Sequence, residues 1–145
     1  MTIRIDRVDW LSEGPSLLAI RHRVFVDEQD VPPALEHDEY DADAIHLLAR
    51  NDTGEPIATA RLLTDGHIGR MAVLPEWRKQ GIGRAMMHRL TDIAADHGLN
   101  RVFLHAQCQA LPFYRRLGFS PEGDIFKDAG IDHRKMTMPV TPRNN

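Results

Sequence analysis

His67-Ile68-Gly69-Arg70-Met71-Ala72-Val73-Leu74-Pro75 is followed after two residues by Arg78-Lys79-Gln80-Gly81-Ile82-Gly83-Arg84. The first seven residues read as a strand, and Leu74-Pro75 stops it, because the residue before a proline is pushed into extended backbone and proline offers no ladder donor. Beyond the glycines, Ile82, Ala85, Met86, Leu90, Ile93 and Ala94 recur at spacings of three and four. That period predicts an amphipathic helix, with Gly98 as its left-handed cap. A strand, a turn with two glycines and a helix suit an anion site, with plain turn chemistry as the alternative: the first helical N–H groups lack partners, the dipole adds positive charge, and glycine lets a phosphate approach the backbone. Arg78, Lys79 and Arg84 strengthen the field. The spacing fits neither the GxxxxGK[ST] loop nor the GxGxxG fingerprint.

Working outward, the turn at Asp65-Gly66 joins this strand to one over Ile57 to Leu63, and the polar turn Asn51 to Glu55 joins that to a strand over Ala44 to Arg50. Nearer the amino end, Ile3 and Ile5 alternate with polar residues and predict a strand over Thr2 to Val8. Gly14-Pro15 is expected to open a helix whose apolar face is Leu17, Ile20, Val24 and Phe25, ended by Val31-Pro32-Pro33. After the glycine turn and its helix, Arg101 to His105 reads as a strand behind a parallel crossover. Phe113, Tyr114 and Leu117 form a short helix closed by Gly118, and Lys135 to Val140 is the last strand. The order predicts one α+β domain over residues 1–145, with no repeat or linker.

Composition sets the class. The chain has 145 residues, 42% hydrophobic and 27% charged, with a formal charge of -3, the profile of an ordinary globular enzyme-sized domain. No apolar run approaches the roughly 20 residues that span a bilayer, and the first residues lack a secretory leader's apolar stretch, so the expected location is cytoplasmic with no membrane partner. Cys108 is the only cysteine, which excludes an internal disulfide. The eight histidines form no HExxH or similar spacing, so no metal is expected. Charge is segregated: Asp27, Glu28, Asp30, Glu36, Asp38, Glu39, Asp41 and Asp43 have no Lys or Arg among them, whereas Arg70, Arg78, Lys79, Arg84 and Arg89 face only Glu76. Because positive charge is confined to one turn and its helix, nucleic acid is not an expected partner.

The Arg78-x-x-Gly81-x-Gly83 spacing, after Met71-Ala72-Val73-Leu74-Pro75, resembles the acyl-CoA pyrophosphate loop of the GNAT superfamily of N-acetyltransferases. Ala110-Leu111-Pro112-Phe113-Tyr114-Arg115-Arg116-Leu117-Gly118-Phe119 resembles the A-x-x-F-Y-x-x-x-G-F segment of the same superfamily. Arg23-Val24-Phe25-Val26-x-Glu28-Gln29-x-Val31-Pro32, His105-Ala106-Gln107 and Gly130-Ile131-x-His133 with Met136 are similar to its ElaA-like and YjcF-like branch. The resemblance implies a mixed, mostly antiparallel sheet flanked by helices, with a strand splay that holds the acyl-CoA. It implies acetyl-CoA as cosubstrate, contacted by Met71, Ala72, Val73, the residues Arg78, Lys79, Gln80, Gly81, Ile82, Gly83 and Arg84, and by Phe113. Gln107 stands where many members place an asparagine near the pantetheine arm.

The implied reaction moves an acetyl group directly to a primary amine, of a small molecule or a peptide. The backbone N–H of Val73 serves as oxyanion donor and Tyr114 as general acid, since an unperturbed phenol with a pKa of about 10 stays protonated at neutral pH. For the base, Glu28, Asp38, His105, His133 and a water relay stay open, with Glu28 and His105 the leading side chains. Tyr114 and His105 each have a packing alternative. Cys108 offers a covalent route, set against the ordinary role of an unpaired cysteine as a small buried hydrophobe. The first helix and the acidic loop are expected on the acceptor side, through Glu36, Asp38 and His133; uncompensated acidic charge there would favour a cationic acceptor, the alternative being a solvated loop that serves only solubility. A competing reading is an acyl-CoA sensor without turnover. The oligomeric state is open, a homodimer among the alternatives.

Overall fold

The computed structural model describes residues 2–35 and 37–143. Seven strands form one sheet in the order β1-β2-β3-β4-β5-β7-β6, from β1 (Arg4–Val8), β2 (Ile45–Arg50), β3 (Pro56–Leu62), β4 (His67–Val73), β5 (Arg101–Gln107), β6 (Ser120–Asp128) and β7 (Ile131–Pro139). Every neighbouring pair is antiparallel except β4 and β5, which run parallel. A parallel neighbour needs a crossover, supplied by α2 (Ile82–Asp96). No helix among the described residues is long and apolar enough to cross a membrane.

The central strands are buried on both faces. In β2, the run His46 to Ala49 is wholly buried, with Leu47 and Ala49 in the core under α2 and Leu48 in a second core. That second core is capped by Leu17 and Ile20 of α1 (Trp10–Arg21). Helices on opposite faces therefore explain why these strands read as apolar runs rather than clean alternations. In α2 the buried residues are Ile82, Met86, Met87, Leu90, Ala94 and Ala95, while the expected Ala85 is exposed: the buried stripe is turned towards Met87.

Three expectations are corrected. Helix α1 begins at Trp10, not at Gly14-Pro15, because the Asp9 carbonyl already accepts the N–H of Glu13 at 2.9 Å, and Pro15 lies inside the helix. Its continuation, His22–Glu28, winds as a π-helix rather than as more α-helix. The carboxyl end carries two strands, not one. Pro121, Gly123 and Asp124 suggest a turn, yet Ser120–Asp128 is the edge strand β6, where proline is tolerated because one row of backbone groups needs no partner. The short helix after β5 is α3 (Leu111–Arg116).

Candidate active site

Strands β4 and β5 pair at only two positions, His67 with Phe103 and Ile68 with Leu104. Past that point they separate, and a cleft of about 690 Å³ opens between Gly69, Arg70 and Met71 on one arm and His105, Ala106 and Gln107 on the other. A bulge starts the divergence: between the pairs Thr59–Ala72 and Arg61–Gly69, Arg70 and Met71 together stand opposite Ala60. Arg70 takes a φ of +50°, a left-handed backbone that costs a non-glycine residue about 1–3 kcal/mol and recurs where a strand re-aims a side chain. Antiparallel ladders alternate between pairs that bond each other and pairs that face away. Leu74 donates to the Ile57 carbonyl at 3.0 Å, so Val73, paired with Ala58, faces away from β3 and into the opening. Its carbonyl there accepts Nε of Arg78 at 2.9 Å.

The glycine turn forms an anion cradle beside this opening. Lys79 and Gly81 both have positive φ, 63° and 82°. Gly81 is the N-cap of α2 and no side chain caps it. The first intrahelical bond runs from Ala85 N–H to Gly81 C=O at 3.0 Å, which leaves the amides of Ile82, Gly83 and Arg84 directed outward. A Cβ on Gly83 would stand 3.4 Å from Cζ of Phe113, so the surface over these amides is kept low by the missing side chain. A diphosphate fits this donor set. Arg78 is held in place by Glu28 through two bonds of 2.6 Å, and this hydrogen bonding lowers the Glu28 carboxyl from its ordinary range.

Tyr114 lines the cleft, packed against Phe113 and Phe119 at 5.0 and 6.0 Å between centroids. Its hydroxyl has no hydrogen-bond partner among the described residues, and burial pushes its pKa up to about 12. His105 also lines the cleft. It is exposed, so it is not a core histidine, and it sits 4.8 Å from the His67 ring and edge-on to Phe126 at 5.2 Å. Partial desolvation by the rings packed on it lowers the pKa of His105, and burial lowers that of His67 to about 4. The buried ring of His133 completes this wall, its Nδ1 donating to the Ile131 carbonyl at 2.8 Å. Cys108 follows β5 and Glu28 faces Arg78; neither lines the cleft. The side-chain amide of Gln107 is engaged, donating to Gln29 at 2.8 Å and accepting from Gln109.

The family model for the acetyltransferase (GNAT) domain matches residues 12–140. The chain belongs to the GNAT acetyltransferase family. The N-acetyltransferase YjcF of Bacillus subtilis (strain 168) is 37% identical over 121 residues, covering 81% of this chain and 86% of YjcF. Protein ElaA of Escherichia coli (strain K12) is 31% identical over 139 residues, covering 90% of each. A crystal structure of an acyl-CoA N-acyltransferase from Pseudomonas aeruginosa superposes with a TM-score of 0.84 at 31% identity, over 94% of this chain and 99% of that one. Within the GNAT family the chain thus sits in the ElaA/YjcF-like branch, with acyl-CoA as the family's cosubstrate.

In this GNAT domain the acidic loop is not uncompensated. Its carboxylates meet arginines from distant parts of the chain. Asp41 takes both Nη atoms of Arg21 at 3.0 Å, the two side chains 1% and 0% exposed, and a third bond of 3.0 Å from Arg61. Asp38 lines the cleft as expected, but it accepts Arg61 at 2.7 Å and Arg70 at 3.1 Å. Three guanidinium groups therefore face two carboxylates. Asp38 and Asp41 are thus compensated, exposed Glu39 also lines the cleft, and Glu36 lies outside the described residues. Sequence reading missed Arg70, His67 and Gln29, all on the cleft wall. Only the strand position of Arg70 and His67 could have pointed to them, since adjacent strand residues at a sheet opening become its wall.

Proposed function

We propose that this GNAT domain, as a single unit over residues 1–145, transfers an acetyl group from acetyl-CoA to a primary amine by direct attack in a ternary complex. The observation that carries the reading is the juxtaposition at one sheet opening of an outward-facing Val73 amide and the cleft-lining Tyr114, with an uncapped α2 start alongside. Acetyl-CoA supplies an activated thioester carbonyl. Amides from Ile82 to Arg84, with Lys79 and Gln80, hold the diphosphate. Met71 and Phe113, both beside Gly83, border the arm that leads into the opening, whereas Ala72, expected there, is buried in the core under α1. Val73 N–H donates to the carbonyl oxygen as charge develops on it; a donor fixed by the sheet needs no reorganisation at that moment. His105, kept neutral by its surroundings, accepts the proton from the attacking amine, and Tyr114 gives its proton to the departing sulfur. A phenol with a raised pKa is protonated at any working pH. Because Glu28 spends both oxygens on Arg78, it positions the loop rather than the proton.

The test is thiol release from acetyl-CoA with a panel of amines, read alongside calorimetric binding of CoA. Acetylated amine and free thiol in equal amounts support the reading, and a folded Gly83→Trp variant should bind no CoA. Tight CoA binding without thiol release from any amine would assign the chain to acyl-CoA sensing instead. Cys108→Ser should turn over within a few-fold of the parent.

A further inference from the structure

The β4 arm of the cleft carries charge that the transfer chemistry does not use. Arg70 is brought there by the bulge, at a backbone conformation that arginine does not adopt by preference. Among the described residues its one ion pair is the single bond to Asp38, and that carboxylate is shared with Arg61. Arg61 in turn shares Asp41 with Arg21. Among the described residues, Arg70 is the member of this cluster that meets the cleft, its side chain 29% exposed while that of Arg61 is 4%. Within the same set, Nε of Arg70 is buried with no acceptor, and the one bond of its guanidinium uses Nη2, leaving Nη1 without a partner among the described residues. A planar guanidinium with most of its donors unspent, in a cleft, is built for a carboxylate. Two other carboxylates line the cleft: exposed Glu39 beside the cluster, and Asp128 at the end of β6, whose charge acts on His105. The cleft is therefore bipolar, cationic at Arg70 and anionic near the proposed base.

We propose that the acceptor is an amine that also bears a carboxylate, an amino-acid-like zwitterion seated with its carboxylate on Arg70 and its amine towards His105. The assignment rests on the acetyl-transfer reading for the amine end. It differs from the cationic acceptor that the sequence suggested, because Asp38, the described acidic residue expected to meet such a cation in the cleft, is already engaged by Arg61 and Arg70. Arg70 lies three residues before Val73, on the order of 10 Å along an extended strand at about 3.3 Å per residue. An arginine side chain and a small amino acid together bridge that span.

The test compares phenylalanine, leucine and β-alanine with their carboxamides, as ligands of the CoA-loaded protein by calorimetry and as acceptors by thiol release. The expected result is at least tenfold tighter binding, and higher kcat/KM, for the carboxylate member of a pair. In Arg70→Gln that ratio should fall to near one, with Arg70→Lys between the two. Parent protein that binds carboxylate and carboxamide equally well overturns the proposal even if no variant folds. So does a ratio that survives in Arg70→Gln. Arg70-dependent carboxylate binding without transfer to any amine would fault the transferase reading and keep this one; transfer with no carboxylate preference would do the reverse.

Discussion

Glu28 and Arg78 hold each other through two parallel hydrogen bonds of 2.6 Å, and the same guanidinium reaches the Val73 carbonyl with its Nε at 2.9 Å. One arginine thus connects the end of the π-helical segment to the backbone of the proposed oxyanion donor. Replacing Glu28 by Gln removes the charge that aims Arg78 but leaves the cleft chemistry in place. The expected outcome is a KM for acetyl-CoA raised about threefold to thirtyfold, with kcat and its pH profile little changed. Steady-state kinetics across pH checks this; a hundredfold loss of kcat would return Glu28 to the role of base.

Tyr114→Phe removes one oxygen and keeps the ring that packs on Phe113 and Phe119. Turnover should drop by about tenfold to ten-thousandfold, as for a general acid, with CoA affinity held within a few-fold. Single-turnover kinetics beside calorimetry separates the two quantities. Unchanged turnover would leave Tyr114 as packing.

Asp41 has a pKa of about 2, depressed from 3.8 by its bonds to Arg21, to the Asp38 amide and to Arg61, which outweigh the opposing effect of burial. A carboxyl with a lower pKa folded than unfolded contributes stability that is complete above pH 4 and is lost as pH falls from there towards 2. Asp41→Ala strands two buried guanidinium groups and should cost about 3–5 kcal/mol at neutral pH. Urea denaturation of both proteins from pH 2 to 7 checks it, and the difference should shrink at the acid end.

His67 has its pKa lowered from 6.5 to about 4, first by burial and then by His105. Between those values the unfolded chain binds the proton more readily than the folded one, so stability rises with pH across that window. His67→Phe, which keeps the stack on Phe103 at 4.7 Å, should flatten the slope of stability against pH from 4 to 6.5. An unaltered slope would show that His67 is not its source.

Much of this site was legible because its physics is local. A strand stopped by Pro75, two glycines and a helical period are neighbours in the chain, and they fix the β4-turn-α2 unit without reference to anything distant. What escaped was long-range or edge structure. The ion pairs that neutralise Asp38 and Asp41 come from Arg21, Arg61 and Arg70, between 20 and 32 residues away, so a charge count along the acidic loop alone could not see them. Strand β6 escaped because an edge strand tolerates Pro121 and Gly123, the residues that otherwise announce a turn. The π-helical winding of His22–Glu28 leaves no mark in composition.

That winding has a mechanical meaning. Where it runs out, Glu28 ties to Arg78 beside the β4 arm, and the next residue, Gln29, bonds Gln107 on the β5 arm at 2.8 Å. Two consecutive residues clasp both limbs of the V. A π-helix turns less per residue than an α-helix, so rewinding the seven residues 22–28 as α-helix would rotate the clasp away from both limbs at once. The wider turn of the π-helix is the hinge pin that lets a single segment latch the sheet where it is pulled apart.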